Sequence, residues 1–198
     1  MISNDRMEWA IPLQNLDIQN IQINPPVQGY KLVSALGYSD TDVNFNTLCI
    51  LLPLLPVKSY EAASGRLQIS LQGSMITNKL LAFQDLLIQT LLANQARWFP
   101  GERVFSRDEI KQGFQPFVDK TSLHLYCPTS TTTSTNEIHS YSEKKWTNDI
   151  ISPSLFTIGK QLRLAIKFQG LSFHQHPLTK MWTGKFRLQH RIVAVMTQ

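Results

Sequence analysis

Hydrophobic and polar side chains alternate cleanly in three stretches of this chain, and in the region between the first stretch and the other two the period lengthens. In "GRLQISLQG" (65–73), Leu67, Ile69 and Leu71 hold one register while Arg66, Gln68, Ser70 and Gln72 hold the other. Successive side chains of a strand point to opposite faces, so this pattern predicts a strand with one buried face. The same period returns in "KQLRLAIKFQGLSFH" (160–174), with Leu162, Leu164, Ile166 and Phe168 inward and Arg163, Ala165, Lys167 and Gln169 outward. It returns again from 182 to 198, in "WTGKFRLQHRIVAVMTQ", where Phe186, Leu188, His190 and Ile192 alternate with Lys185, Arg187, Gln189 and Arg191. About ten residues, "HQHPLTKMWTG", join these two late strands, a length that suits an antiparallel hairpin. Residues on one side of an antiparallel pair are neighbours, so Arg163, Lys167, Lys185, Arg187 and Arg191 are expected together on one exposed face.

Between the strands the spacing becomes helical. "TNKLLAFQDLLIQTLLANQARW" (77–98) sets Leu80, Phe83, Leu87 and Leu91 on one stripe, widened by Leu81 and Leu92, with Thr77 or Asn78 as its cap. "SRDEIKQGFQPF" (106–117) opens with Ser106 and carries Glu109 three residues on, a capping box, ahead of inward Ile110, Phe114 and Phe117. The first 45 residues scatter isolated apolar positions among Asn, Gln and Asp, which predicts short strands and loops with a turn at "NPPVQG" (24–29). "TLCILLPLLPV" (47–57) reads as a buried strand, or a pair of strands, interrupted by Pro53 and Pro56, with an edge or a bulge there. "SLHLYCP" (122–128) is a short strand, "TSTTTSTN" (129–136) a mobile polar loop, and "EIHSYSEKKWTNDI" (137–150) holds one more strand. Together these elements predict a single domain over 1–198, mainly β with one long and one short helix inserted.

Composition changes that picture in one respect. A chain of 198 residues with 42% hydrophobic and 17% charged residues is an ordinary globular one, and no run approaches the roughly 20 apolar residues of a membrane span. The start, "MISNDRMEWAIP", has neither a basic region nor an apolar core, which argues against secretion. Cys49 and Cys127 are too few for a disulfide framework and read as reduced thiols in an intracellular protein. The charge, however, is unevenly placed. Residues 150–198 hold Lys160, Arg163, Lys167, Lys180, Lys185, Arg187 and Arg191 and no carboxylate, so the net +5 of the chain divides into +7 there and −2 before it. A segment this long without one acid points to an anionic partner.

Catalytic signatures are missing. No phosphate-cradling glycine loop and no Gly-x-Ser-x-Gly elbow occur, and neither cysteine has the spacing of a nucleophile. His174-x-His176 is the one metal-like spacing, to which His190, His124 or Cys127 could be added, but nothing enforces a site, and no metal or cofactor is expected. Aromatics accompany the positive charge instead. Phe173, Trp182 and Phe186 belong to the hairpin, and Tyr126, Tyr141 and Trp146 flank the polar loop before it. Phe186 falls in the inward register, whereas Trp182, beside a loop and Gly184, is the expected stacking platform. Cations that track a backbone and rings that stack bases are what holds single-stranded nucleic acid. The residues expected to carry that binding are Arg163, Lys167, Phe173, Trp182, Lys185, Arg187 and Arg191, with Tyr141 and Trp146.

The run from "LFTIGKQLRLAIKFQGLSFH" to "WTGKFRLQHRIVAV", about 45 residues, resembles the closing hairpin of single-stranded DNA-binding proteins of large eukaryotic double-stranded DNA viruses. That resemblance implies an OB-fold-like antiparallel barrel and a non-enzymatic protein that coats strands during viral DNA replication, in the host nucleus or a viral replication compartment. The partners it implies are single-stranded DNA, with RNA not distinguished, then a homo-oligomer and replication proteins. Two other classes remain open: a structural or virion protein that packs its basic face against a genome or an acidic neighbour, and an enzyme with a metal site built on the histidines.

Overall fold

The computed structural model describes residues 10–127, 139–142, 145–147 and 153–197, and the polar tract at 129–136 lies outside them. The polar first segment forms two single-turn 3-10 helices (Leu13–Asn15 and Ile18–Asn20) and short strands: β1 (Ile11–Pro12), β2 (Ile21–Ile23), β3 (Val27–Gln28), β4 (Leu32–Ser34), β5 (Leu36–Ser39) and β6 (Asn44–Phe45). Next, β7 (Leu48–Leu51) and β8 (Leu55–Glu61) are divided at Pro53, and the register of β8 shifts between Val57 and Ser59, just past Pro56. Proline donates no ladder hydrogen bond, which accounts for the break at Pro53. β9 (Arg66–Ser70) buries Leu67 and Ile69, as its alternation requires.

Two helices come next. α1 (Ser74–Trp98) begins three residues earlier than expected. Gly73, not Thr77 or Asn78, takes the cap position, and the Thr77 hydroxyl donates to the Gly73 carbonyl at 3.2 Å. Its buried stripe is Leu80, Phe83, Leu87 and Leu91, joined by Ile88 and Gln95. α2 (Arg107–Gly113) carries the expected capping box in full: Ser106 Oγ accepts from the Glu109 amide, and the Glu109 carboxylate accepts from the Ser106 amide. The remaining strands are β10 (Phe114–Gln115), β11 (Ser122–Tyr126), β12 (His139–Ser142), β13 (Lys145–Thr147), β14 (Gln161–Gln175) and β15 (Trp182–Thr197). Residues 137–150 thus hold two short strands rather than one.

Twelve of the described strands form one mixed sheet and β2, β5 and β6 a smaller one. β14 is the hub. One of its edges pairs with β15 along almost its whole length, while β8, β7 and β4 succeed one another along the other edge, at Gln161–Leu162, Ala165–Phe168 and Leu171–Phe173. The main path runs β11-β9-β8-β14-β15-β12-β13. Among the described strands no ladder joins its two ends, so the sheet is open and a closed barrel is not formed. Curling still brings β11 back toward β15, where the Tyr126 amide donates to His190 Nε2 at 2.8 Å. α1 covers the concave core, with Phe83 edge-on to Phe117 and Phe168 at 5.6 and 5.2 Å. No described helix is long and apolar enough to cross a membrane.

Candidate nucleic-acid interface

The far end of the β14–β15 hairpin is fixed by aromatic packing. Trp182, 4% exposed, stacks on Phe99 at 4.5 Å and meets Phe105 and Phe173 edge-on at 4.9 and 5.7 Å. Its indole N–H donates to the Lys185 carbonyl at 3.0 Å, and its amide donates to the Glu102 carboxylate at 2.9 Å. Phe105 is held in turn by α1. The Gln95 side-chain amide donates to the Phe105 carbonyl at 2.8 Å and accepts from the Phe105 amide at 2.9 Å, which satisfies a buried polar group inside the core. α2 reaches the same place through close backbone approach. A Cβ on Gly113 would stand 1.9 Å from the Gly184 carbonyl oxygen, and Gly184 itself adopts φ 82, a conformation that side-chain-bearing residues rarely adopt.

This packing sets four strands side by side: β4, β14, β15 and β10 align at Val33, Ser172, Arg187 and Gln115. Across that segment, roughly 14 Å wide at about 4.8 Å per strand, lies a groove of about 730 Å³. Ser172, Phe173, Phe186 and Arg187 contribute its strand wall, Gln112 to Gln115 one flank, and Tyr30 and Lys31 of the β3–β4 turn the other. His174 to Pro177 and Lys180 close one end. Its cations are Lys31, Lys180, Lys185 and Arg187, and among the described residues no Asp or Glu lines it. Among the described residues the ion pairs are Arg103–Glu109 and His124–Asp119, so none of the four groove cations is neutralised by one. A concave wall of like charge focuses its field on whatever anion enters.

Of the residues expected to bind, Lys185 and Arg187 are exposed and line this groove. Phe173 and Trp182 are only 3% and 4% exposed: Phe173 backs the groove wall as a buried ring, and Trp182 does not line it. The stacking role expected for Trp182 is therefore corrected. Phe99 and Phe105, distant in sequence, cover the indole, and a carbonyl satisfies its N–H. The single exposed row of five cations is also corrected. Ten positions separate Arg163 from Phe173 on β14, roughly 33 Å, so Arg163 stands far from the groove, opposite Met196. Lys167 lies across from Arg191, and both are half-buried rather than exposed. Three register shifts along the hairpin break the uniform face that simple alternation implies. Tyr141 and Trp146 pair with each other across β12 and β13, and Tyr141 also pairs with Met196 of β15; their side chains fall outside the described structure.

Tyr30, Lys31 and Lys180 were missed by alternation, because all three sit in turns. The signal available was "QGYK", an aromatic and a cation placed after a turn glycine where no core position calls for them. Among the described side chains the histidines do not converge on one site. His174 bonds Thr183, His124 bonds Asp119, and His190 accepts from Tyr126, while burial lowers the His190 pKa to about 4 and keeps the ring a neutral acceptor. Among the described residues no three His, Cys, Asp or Glu side chains are grouped to hold a metal ion. Cys127 is buried, which pushes its thiol up to about 12 and leaves it without a reactive thiolate. The chain matches no family model, no curated protein and no solved structure.

Proposed function

We propose that this is a non-enzymatic protein that binds single-stranded DNA, or RNA, in the groove of Lys31, Lys180, Lys185 and Arg187. The observation that carries the reading is four cations around one concave surface with no carboxylate among its described lining residues. Like charges gathered this way repel one another, and a phosphodiester chain that enters relieves the repulsion while releasing its own counterions. The groove lies across four strands that span roughly 14 Å, and its cations stand on both flanks and at one end, where the backbone of an extended strand could run between them. Duplex readers more often insert a helix into the major groove, and neither helix here has a basic face: the first turn of α2 carries Asp108 and Glu109. The open sheet that curls until β11 meets β15 is read as an opened relative of the OB-like barrel, and the resemblance of the closing hairpin gives such a protein a place on strands exposed in viral DNA replication.

A fluorescence-anisotropy titration with a labelled single-stranded oligonucleotide, competed by the same strand and by its duplex, tests the reading. Single strands are expected to compete better than duplex at equal phosphate. Absence of binding, or a clear preference for duplex, would contradict it.

A further inference from the structure

The groove cations alone do not separate a nucleic acid from any other polyanion, and its lip carries a feature that does. Tyr30 is 100% exposed, an aromatic ring with no packing partner, at the tip of the β3–β4 turn and beside Lys31. This turn is not a loose one. The Gly29 amide donates to the Lys31 carbonyl at 3.1 Å, and Gln28 Nε2 donates to the Gly29 carbonyl at 2.9 Å. Gln175, at the end of β14, donates from its one side-chain nitrogen both to Gln28 Oε1 at 3.0 Å and to the Lys180 carbonyl at 2.7 Å. One amide thus ties the turn that bears Tyr30 and Lys31 to the hairpin loop that bears Lys180. The ladder does the same from below, since Leu32 pairs with Phe173 and Val33 with Ser172.

We infer that Tyr30 seats a nucleobase at the lip of the groove while Lys31 and Lys180 hold the adjoining phosphates, so that the ligand class is a base-bearing strand and not a bare polyanion. The inference rests on the reading of the groove as a nucleic-acid site. A ring held at the edge of a cationic trench offers its faces to a flat partner, and stacking needs no hydrogen-bond code, so all four bases would be accepted. A cation immediately beside the ring matches the alternation of base and phosphate along a strand. An acidic protein segment would use the same cations but offers carboxylates with no planar surface for the ring. Gln175 is the positioning residue: its side-chain nitrogen is engaged by Gln28 and the Lys180 carbonyl, and so fixes the distance between the two loops.

The test measures affinity for three probes of equal length at one salt concentration: a thymidine oligonucleotide, a base-free deoxyribose-phosphate oligomer, and polyglutamate. Tyr30→Ala is expected to weaken the thymidine oligonucleotide by about 5- to 150-fold, the range for losing one stacked base, and to leave the base-free oligomer unchanged. Tyr30→Trp should retain binding. Gln175→Leu should weaken both phosphodiester probes, with an unfolding midpoint shared with the parent protein. Lys185→Glu with Arg187→Glu should abolish binding of all probes. If Tyr30→Ala binds thymidine normally while the charge reversal abolishes binding, stacking is overturned and the groove stands. A charge reversal that leaves binding intact overturns the groove and the stacking together. Equal losses on the two phosphodiester probes, or wild-type protein that holds polyglutamate as tightly as the oligonucleotide, would also overturn the role assigned to Tyr30.

Discussion

Replacing Trp182 by alanine separates a packing role from a binding role. The indole is 4% exposed, touches four phenylalanine rings at centroid distances of 4.5 to 6.1 Å, and donates its N–H to a carbonyl. Truncation of a buried Trp to Ala typically costs about 3–5 kcal/mol, because transfer free energy is lost and the cavity collapses only in part. For a domain of this size each kcal/mol moves the melting temperature by about 2–4 °C, so a fall of about 6–20 °C is expected. Trp182→Phe keeps much of the ring contact and loses the bond to Lys185, for about 1 kcal/mol. Urea unfolding followed by far-ultraviolet circular dichroism measures both variants, with an unchanged m-value marking the effect as one on stability. If Trp182→Ala unfolds at the parent midpoint while single-strand affinity collapses, the ring belongs to the ligand and the packing argument is wrong.

Three more consequences follow from local geometry. Ser106→Ala removes the side-chain cap of α2 and should lower stability by about 0.5–2 kcal/mol, read from the same urea curves. Gly113→Ala would drive a methyl group to within 1.9 Å of the Gly184 carbonyl oxygen, so a loss of at least about 1–3 kcal/mol is expected together with weaker binding, since this contact shapes the groove flank. His190 is held neutral in the folded state, with its pKa lowered from 6.5 to about 4 by burial and by the charge of Arg187. The unfolded chain takes up a proton in that interval and the folded chain does not, so the contribution is full above pH 6.5 and declines as pH falls toward 4. The decline amounts to at most about 3 kcal/mol. Urea midpoints measured from pH 7 to 4 should fall for the parent more steeply than for His190→Gln, and parallel curves would refute this.

Local pattern carried much of the fold. The alternation of β9, β14 and β15, the stripe of α1 and the cap of α2 each depend on residues close in sequence, and each formed where those residues stand. The places where pattern failed are those decided by tertiary contact. Trp182 looks like a loop residue until Phe99 and Phe105 are brought over it, and only the fold does that. Alternation counts along one strand, so it cannot register that β14 and β15 slip against each other at three points, which ends the uniform cationic face. Half of the groove was legible, in Lys185 and Arg187. The other half, Lys31 and Lys180, is contributed by turns that the sequence separates and Gln175 joins. The helix start moved to Ser74 because a glycine at the cap position let the turn begin before the expected polar cap.

Whether the groove cations hold phosphates is read from the salt dependence of single-strand affinity. Four groove cations on phosphates predict a slope of log K against log salt near −3, at about −0.7 per contact. Lys185→Ala with Arg187→Ala should bring the slope to about −1.4, whereas Arg163→Ala, which lies far from the groove, should leave it unchanged. A slope that ignores the groove pair, or one that falls equally when Arg163 is removed, would contradict the account.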